Sequence, residues 1–231
     1  MIPLNDTEPN RYSSLPIMVM TIIAINILVM AYEEILWSES DFAYLSHLYS
    51  FGSIPTLILS LRGGGALTSL THMFMHGGLL HLGGNMLALW VYGRRVEDVC
   101  GPWRFLVFYL ICGVFADIVS TATRYGSDIP GIGASGAIAG VMGAYLILFP
   151  TGRIRTLLFF SFVPTFPTIR AYWLILYFFI LQLPPAINSL LNQAEYNINY
   201  WAHLGGFFGS LFVFLCLRPQ VFHNYQNDLT L

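Results

Sequence analysis

In a chain of 231 residues, 56% hydrophobic against 10% charged residues is more apolar surface than a soluble core of that size encloses, and a mean hydropathy of +0.65 says the same. The chain therefore reads as an all-α, multi-pass membrane protein rather than a soluble domain. Its net charge of −2, with no basic run or aromatic-interleaved basic patch, excludes a nucleic-acid partner.

Residues 1–14 are polar and read as a cytoplasmic tail. The apolar run 15–32 lacks a basic leading region and a small-residue cleavage site, so it reads as a retained first span closed by Glu33 and Glu34. Residues 35–65 carry Trp37, Tyr44, Tyr49, Phe51 and a leucine-rich run from Leu57 to Leu61, too apolar for a solvated linker and suited to the membrane interface. A second span covers 70–92 and a third 103–121. The fourth starts at Ser135 and stops at Pro150. A fifth covers 168–183, where Pro184 and Pro185 should kink or end it, and a sixth covers 201–217, leaving 218–231 as a second tail. Residues 15–217 thus form one six-span bundle. Cys100, Cys112 and Cys216 show neither metal-ligand spacing nor a paired framework.

Orientation follows from the arginines. Arg11, Arg94, Arg95, Arg104, Arg153, Arg155, Arg170 and Arg218 fall on one side of the six spans, and only Arg62 and Arg124 on the other. By the positive-inside rule both termini are cytoplasmic, and the loop leading to Ser135 faces outward.

The fourth span carries the chemistry. Pro130, Gly131 and Gly133 oppose helix before Ser135, whereas the residues after it are apolar and helix-compatible, which puts Ser135 at or near a helix N-terminus. That end offers unpaired N–H groups and a partial positive charge to an oxyanion. From Ser135 to Pro150 the helix rises only about 24 Å, short of a hydrocarbon layer of ~30 Å. Irregular backbone at that depth must line protein or a water-filled cavity, so the serine can meet water.

A serine needs a base, and intramembrane histidines are the candidates. His203 stands near the outer end of the sixth span, at the depth of Ser135. Gly136, Gly140 and Ala144 make one small-residue stripe and Gly205 with Gly209 another, so the two helices can approach closely. Taken alone, Ser135 reads more simply as a packing residue, and His203 as interhelical glue.

The second span holds His72, His76, His81 and Asn85. His81 and Asn85 share a helix face, as His72 and His76 do if their segment is helical. An Asn85 amide and a His81 N–H aimed at one point, joined by the Ser135 backbone N–H, would make an oxyanion hole. Three alternatives compete with serine chemistry. His72, His76 and His81 could be zinc ligands, but no Glu stands between His72 and His76 to act as base, and the metal set is not favoured. Plain hydrogen bonding between helices is the default for His72. Asp117, an intramembrane carboxylate, is the argument for a transporter. Glu97 and Asp98 beside Arg94 and Arg95 read as a solvated cytoplasmic charge cluster closing the second span.

Three motifs stand on separate spans: His76-Gly-Gly-Leu-Leu-His81-Leu-Gly-Gly-Asn85-Met, Gly133-Ala-Ser135-Gly136 and Ala202-His203-Leu-Gly-Gly206. In that order and spacing the chain closely resembles the rhomboid intramembrane serine proteases, over roughly residues 72–210. The resemblance implies a six-helix rhomboid-like fold with a short fourth helix carrying the nucleophile. It further implies a dyad without a third acid, in which Ser135 is nucleophile and His203 general base and acid. His81 and Asn85, with the Ser135 N–H, would stabilise the oxyanion; Gly133 and Gly136 would shape the site, and His76 would order water and structure beside it.

The same resemblance implies single-span transmembrane proteins as substrates, cleaved within the lipid bilayer near the outer face, with no cofactor. The fifth span would act as gate and residues 184–199 as cap. Two positions depart from the pattern: Ala139 stands where some relatives carry an aromatic against which the histidine packs, and the Trp-Arg pair of the first loop is missing. With no organelle-targeting extension in view, the expected location is a prokaryotic plasma membrane. The main alternative is a catalytically silent member that binds transmembrane segments, against which stand both Ser135 and His203.

Overall fold

The computed structural model describes residues 1–10, 15–60, 62, 64–192 and 198–217. The 218–231 tail, Arg11, Leu61, Arg218, residues 193–197 of the expected cap and the Cys216 side chain lie outside the described residues.

The chain opens with strand β1 (Ile2–Asp6) and enters α1 (Ile17–Glu39), which continues past the expected stop at Glu33 and Glu34. Glu33 is buried there, and its carboxylate accepts the His76 backbone N–H at 3.3 Å. The expected interfacial connection folds as α2 (Asp41–Phe51), capped by the Ser40 hydroxyl accepting from the Ala43 N–H, and α3 (Pro55–Ser60).

The expected second span is broken. A short helix α4 (Thr68–Thr71) passes through a 3₁₀ turn (His72–Phe74) into extended backbone at Met75, and a new helix α5 (Leu79–Ala88) starts only after Gly78, whose φ is +144°. His72 and His76 therefore do not share a helix face. A π-helical turn (Leu89–Gly93) joins α5 to α6 (Arg94–Cys100). Helix α7 (Pro102–Thr123) follows Gly101, with Pro102 at a position where its missing N–H costs nothing. Helix α8 (Ser135–Leu148) is 14 residues long and apolar, about 21 Å at ~1.5 Å per residue.

The all-α expectation needs one addition. Strands β2 (Arg153–Phe160), β3 (Val163–Thr165) and β4 (Thr168–Arg170) form an antiparallel sheet in which β2 also pairs β1, Asp6 opposite Ile154 and Ile2 opposite Leu157. Part of the polar N-terminal segment is thus a sheet edge. The β2–β3 hairpin turns at Ser161 and Phe162, both with positive φ, the twist that two-residue hairpins favour.

The expected fifth span begins with β4 and then becomes helix α9 (Ala171–Ile180). The helix breaks at Leu181 and Gln182, the interruption expected of Pro184 and Pro185, and the two prolines then sit in the first turn of α10 (Leu183–Asn192), where their missing N–H groups cost nothing. Helix α11 (Tyr200–Leu217) completes the bundle.

Among the described residues three helical stretches are long and apolar enough to cross a membrane: Ile17–Glu39, Pro102–Thr123 and Ala171–Asn192. The protein is mostly helical and integral to the membrane. Its core is built where α11 and α8 pack on each other and on α7, with Tyr109, Tyr145, Phe105 and Ile175 fully buried.

Two charged features differ from expectation. Glu97 is 3% exposed, and its carboxylate accepts the N–H groups of Met18 at 2.8 Å and Val19 at 2.7 Å, capping the first turn of α1. Arg94 and Arg95 bind Asp6 of β1, the latter at 2.6 Å. Burial replaces the solvated cluster because α1 has no cap of its own: Pro16 precedes it and no side chain from its own sequence satisfies its first N–H groups. Asp117 is also buried, accepting from the Ser53 hydroxyl, with His72 Nε2 3.9 Å away. It ties α7 to the segment between α2 and α3.

Candidate active site

The site is assembled where the N-termini of α8 and α11 meet. Gly131 exchanges backbone hydrogen bonds with Ser53, and the Gly133 N–H donates to His72 O at 2.9 Å, so the loop before α8 is fastened on both sides of Ile132. Gly133 has φ +126°, a conformation closed to other residues at low cost, and it delivers the chain into α8 with Ser135 as the first helical residue. Gly136 to Tyr145 are all buried, whereas Ser135 stays partly accessible.

Ser135 and His203 are brought together. The Ser135 Oγ lies 2.7 Å from His203 Nε2, and His203 is 7% exposed. The approach depends on glycine: a Cβ at Gly136 would stand 2.5 Å from Ala116 Cβ and 3.5 Å from Ala202 O, and one at Gly206 would collide with the Gly136 carbonyl. The expected stripe is therefore revised. Gly206, with Ser210, meets α8 at Gly136, Gly140 and Gly143, while Gly205 and Gly209 face Val119 and Phe115 of α7.

His81 and Gly133 are brought to the same place. A Cβ at Gly133 would lie 2.9 Å from His81 Cε1, 3.0 Å from His81 Nε2 and 3.7 Å from Ser135 Oγ, so any side chain there would crowd the imidazole on the side where the serine hydroxyl lies. Asn85 is engaged one step back: its amide nitrogen is 2.9 Å from His76 Nε2, and the His76 ring meets the His81 ring edge-on at 4.9 Å. His72 stands apart with Asp117. The three second-span imidazoles do not converge, and among the described residues no group of three His, Cys, Asp or Glu is placed to hold a metal ion.

One contact was not anticipated. His203 Nδ1 lies 2.6 Å from Gln182 Oε1, and the Phe178 ring sits 5.9 Å from the imidazole at 35°. Phe178 comes from the last turn of α9 and Gln182 from the joint just after it, so the ring that Ala139 cannot offer from α8 is supplied from another helix. The available signal was Gln182 itself, a lone amide in an apolar run, because a polar group in a membrane bundle needs a partner.

The comparisons with known proteins bear on the same residues. The Rhomboid domain profile matches residues 64–220, which includes the loop before α5, all of α8, and α11. The chain is 35% identical over 143 residues to Rhomboid protease GluP of Bacillus subtilis, covering 62% of this chain and 24% of that protein. It is 31% identical over 157 residues to RHOMBOID-like protein 5 of Arabidopsis thaliana, covering 67% of this chain and 45% of that protein. It is 37% identical over 98 residues to the mitochondrial presenilin-associated rhomboid-like protein of Homo sapiens, covering 40% and 24%. The chain spans less than half the length of each of these relatives. With the matched segment enclosing every residue gathered around Ser135 except Glu33 and Ser53, the chain belongs to the rhomboid family.

Proposed function

We propose that this chain is an intramembrane serine endopeptidase that cuts transmembrane segments of membrane proteins through a Ser135–His203 dyad. The observation that carries the proposal is the 2.7 Å contact between Ser135 Oγ and His203 Nε2 at the N-terminus of a short buried helix. The family supports it, since rhomboids generally are intramembrane serine proteases, and its substrates are membrane proteins within the bilayer.

In this reading Ser135 Oγ attacks the scissile carbonyl carbon while His203 Nε2 takes its proton. The tetrahedral oxyanion is met by the Ser135 backbone N–H and by His81, with Asn85 as the further donor once its amide turns from His76. As the C–N bond breaks, His203 returns the proton to the leaving nitrogen. A water then adds to the acyl ester, losing its proton to His203, and that proton restores Ser135 as the new chain end leaves. No cofactor enters the scheme.

Topologically the proposal takes six spans within residues 15–217, the fourth being the short α8, with both termini cytoplasmic. Support comes from the arginines: Arg94 and Arg95 contact β1, whose partner β2 carries Arg153 and Arg155, and β4 carries Arg170, all at the end of the bundle away from Ser135. Substrates are single-span proteins approached from the outer half of a plasma membrane, with α9 read as the gate and α10 as part of the cap. Extended substrate backbone must reach Ser135, because a helix hides its own carbonyls.

The test is cleavage of a reporter transmembrane protein in reconstituted membranes by the native chain, Ser135→Ala and His203→Ala, with and without a chelator. Cleavage lost in both variants and indifferent to chelation is the expected result. Cleavage that survives Ser135→Ala contradicts it, and a folded native chain that binds reporters without cutting any favours the silent, segment-binding alternative.

A further inference from the structure

We infer that Gln182 is the positioning residue of the dyad, the acceptor that holds the His203 imidazole in the tautomer and orientation from which Nε2 takes the Ser135 proton. The inference rests on the Ser135–His203 reading above.

A carboxamide oxygen only accepts hydrogen bonds, so the 2.6 Å contact to Gln182 Oε1 requires the proton of neutral His203 on Nδ1. The lone pair then lies on Nε2, 2.7 Å from Ser135 Oγ, where the serine O–H donates to it. Without an acceptor at Nδ1 the ring populates both tautomers and turns about its χ2 bond, and only one arrangement accepts a proton from Ser135. Wrong-tautomer histidine is known to be costly in serine hydrolysis. When His203 becomes imidazolium, the same oxygen faces the new charge, so the amide stabilises the charged base without placing an anion in the membrane.

Gln182 is built to hold still. Its N–H donates to Phe179 O at 3.0 Å and its carbonyl accepts the Ala186 N–H at 3.0 Å, which locks the residue in the joint between α9 and α10. The residue is 6% exposed. The Phe178 ring flanks the imidazole, and the Trp201 indole N–H donates to Ala186 O at 2.8 Å, so α10 is fastened to the first turn of α11 two residues before His203. Because the joint carries Gln182, movement of α9 relative to α11 alters the base as well as access to it.

The test uses Gln182→Met, which keeps length but removes the acceptor, Gln182→Glu, which keeps an acceptor, and Ser135→Ala, in the full chain in membranes. Thermal midpoint, kcat and KM on the reporter, and the rate of Ser135 labelling by a small fluorophosphonate are measured together. Gln182→Met should lower both kcat and the labelling rate by about 10- to 100-fold, with KM within about two-fold and the thermal midpoint near native, and Gln182→Glu should recover most of the labelling. Native labelling and cleavage in Gln182→Met, beside an inert Ser135→Ala, overturns this inference alone. Equal loss in Met and Glu variants with a lowered thermal midpoint also overturns it, since that is the behaviour of a packing residue. A Ser135→Ala chain that still cleaves removes the dyad reading and this inference with it.

Discussion

Gly206 of α11 lies directly against the backbone carbonyl of Gly136 of α8, so the two helices carrying His203 and Ser135 touch main chain to main chain. Gly206→Ala forces them apart. Overpacking of this kind costs about 1–3 kcal/mol, and displacing reacting groups by ~1 Å can cost about 10²-fold in rate. The variant should show a lowered thermal midpoint and a larger proportional loss of kcat, measured on the folded fraction. Native kcat in the variant would show that this seam does not set the Ser135–His203 distance.

Asn85 and His76 form a pair, and the Asn85 contribution to the oxyanion is separable by a double-mutant cycle. Asn85→Ala should lower kcat about 10²- to 10³-fold with KM little changed, the usual effect of losing one oxyanion donor. Because the amide also serves His76, the cycle with His76→Ala should show a coupling of about 0.5–3 kcal/mol. Native kcat in Asn85→Ala would remove it from the oxyanion set.

Glu97 acts at the opposite end of the bundle. Glu97→Ala leaves the Met18 and Val19 N–H groups without their acceptor and should cost about 1–3 kcal/mol of stability, with Glu97→Gln falling between. Thermal unfolding in detergent measures it. Cleavage per folded molecule should be unchanged, because no part of this cap approaches Ser135.

What was legible in the sequence was local. Ser135 could be placed at a helix start because Pro130, Gly131 and Gly133 break the backbone just before an apolar run, and α8 begins there. His203 could be matched to it in depth because the arginines orient the spans. The break at residues 72–78 was hidden by continuous hydropathy through Met73, Phe74 and Met75; Gly77 and Gly78 were its only trace. The sheet was invisible for a different reason, since β1 and β2 pair residues more than a hundred positions apart and neither strand alternates cleanly. Glu97 as the cap of α1 is equally non-local. Gln182 was overlooked because its meaning lies in the helix break that aims it, and the two prolines beside it signalled an end to α9 without indicating what faced inward.

The central claim is that Ser135 is a nucleophile made reactive by His203. The most direct measurement is to react the membrane-embedded chain with a fluorophosphonate and locate the adduct by peptide mass mapping, in native protein and in His203→Ala. The account predicts one adduct, on Ser135, and its loss in His203→Ala at unchanged thermal midpoint. An adduct on another residue, or equal labelling of Ser135 without His203, would contradict it.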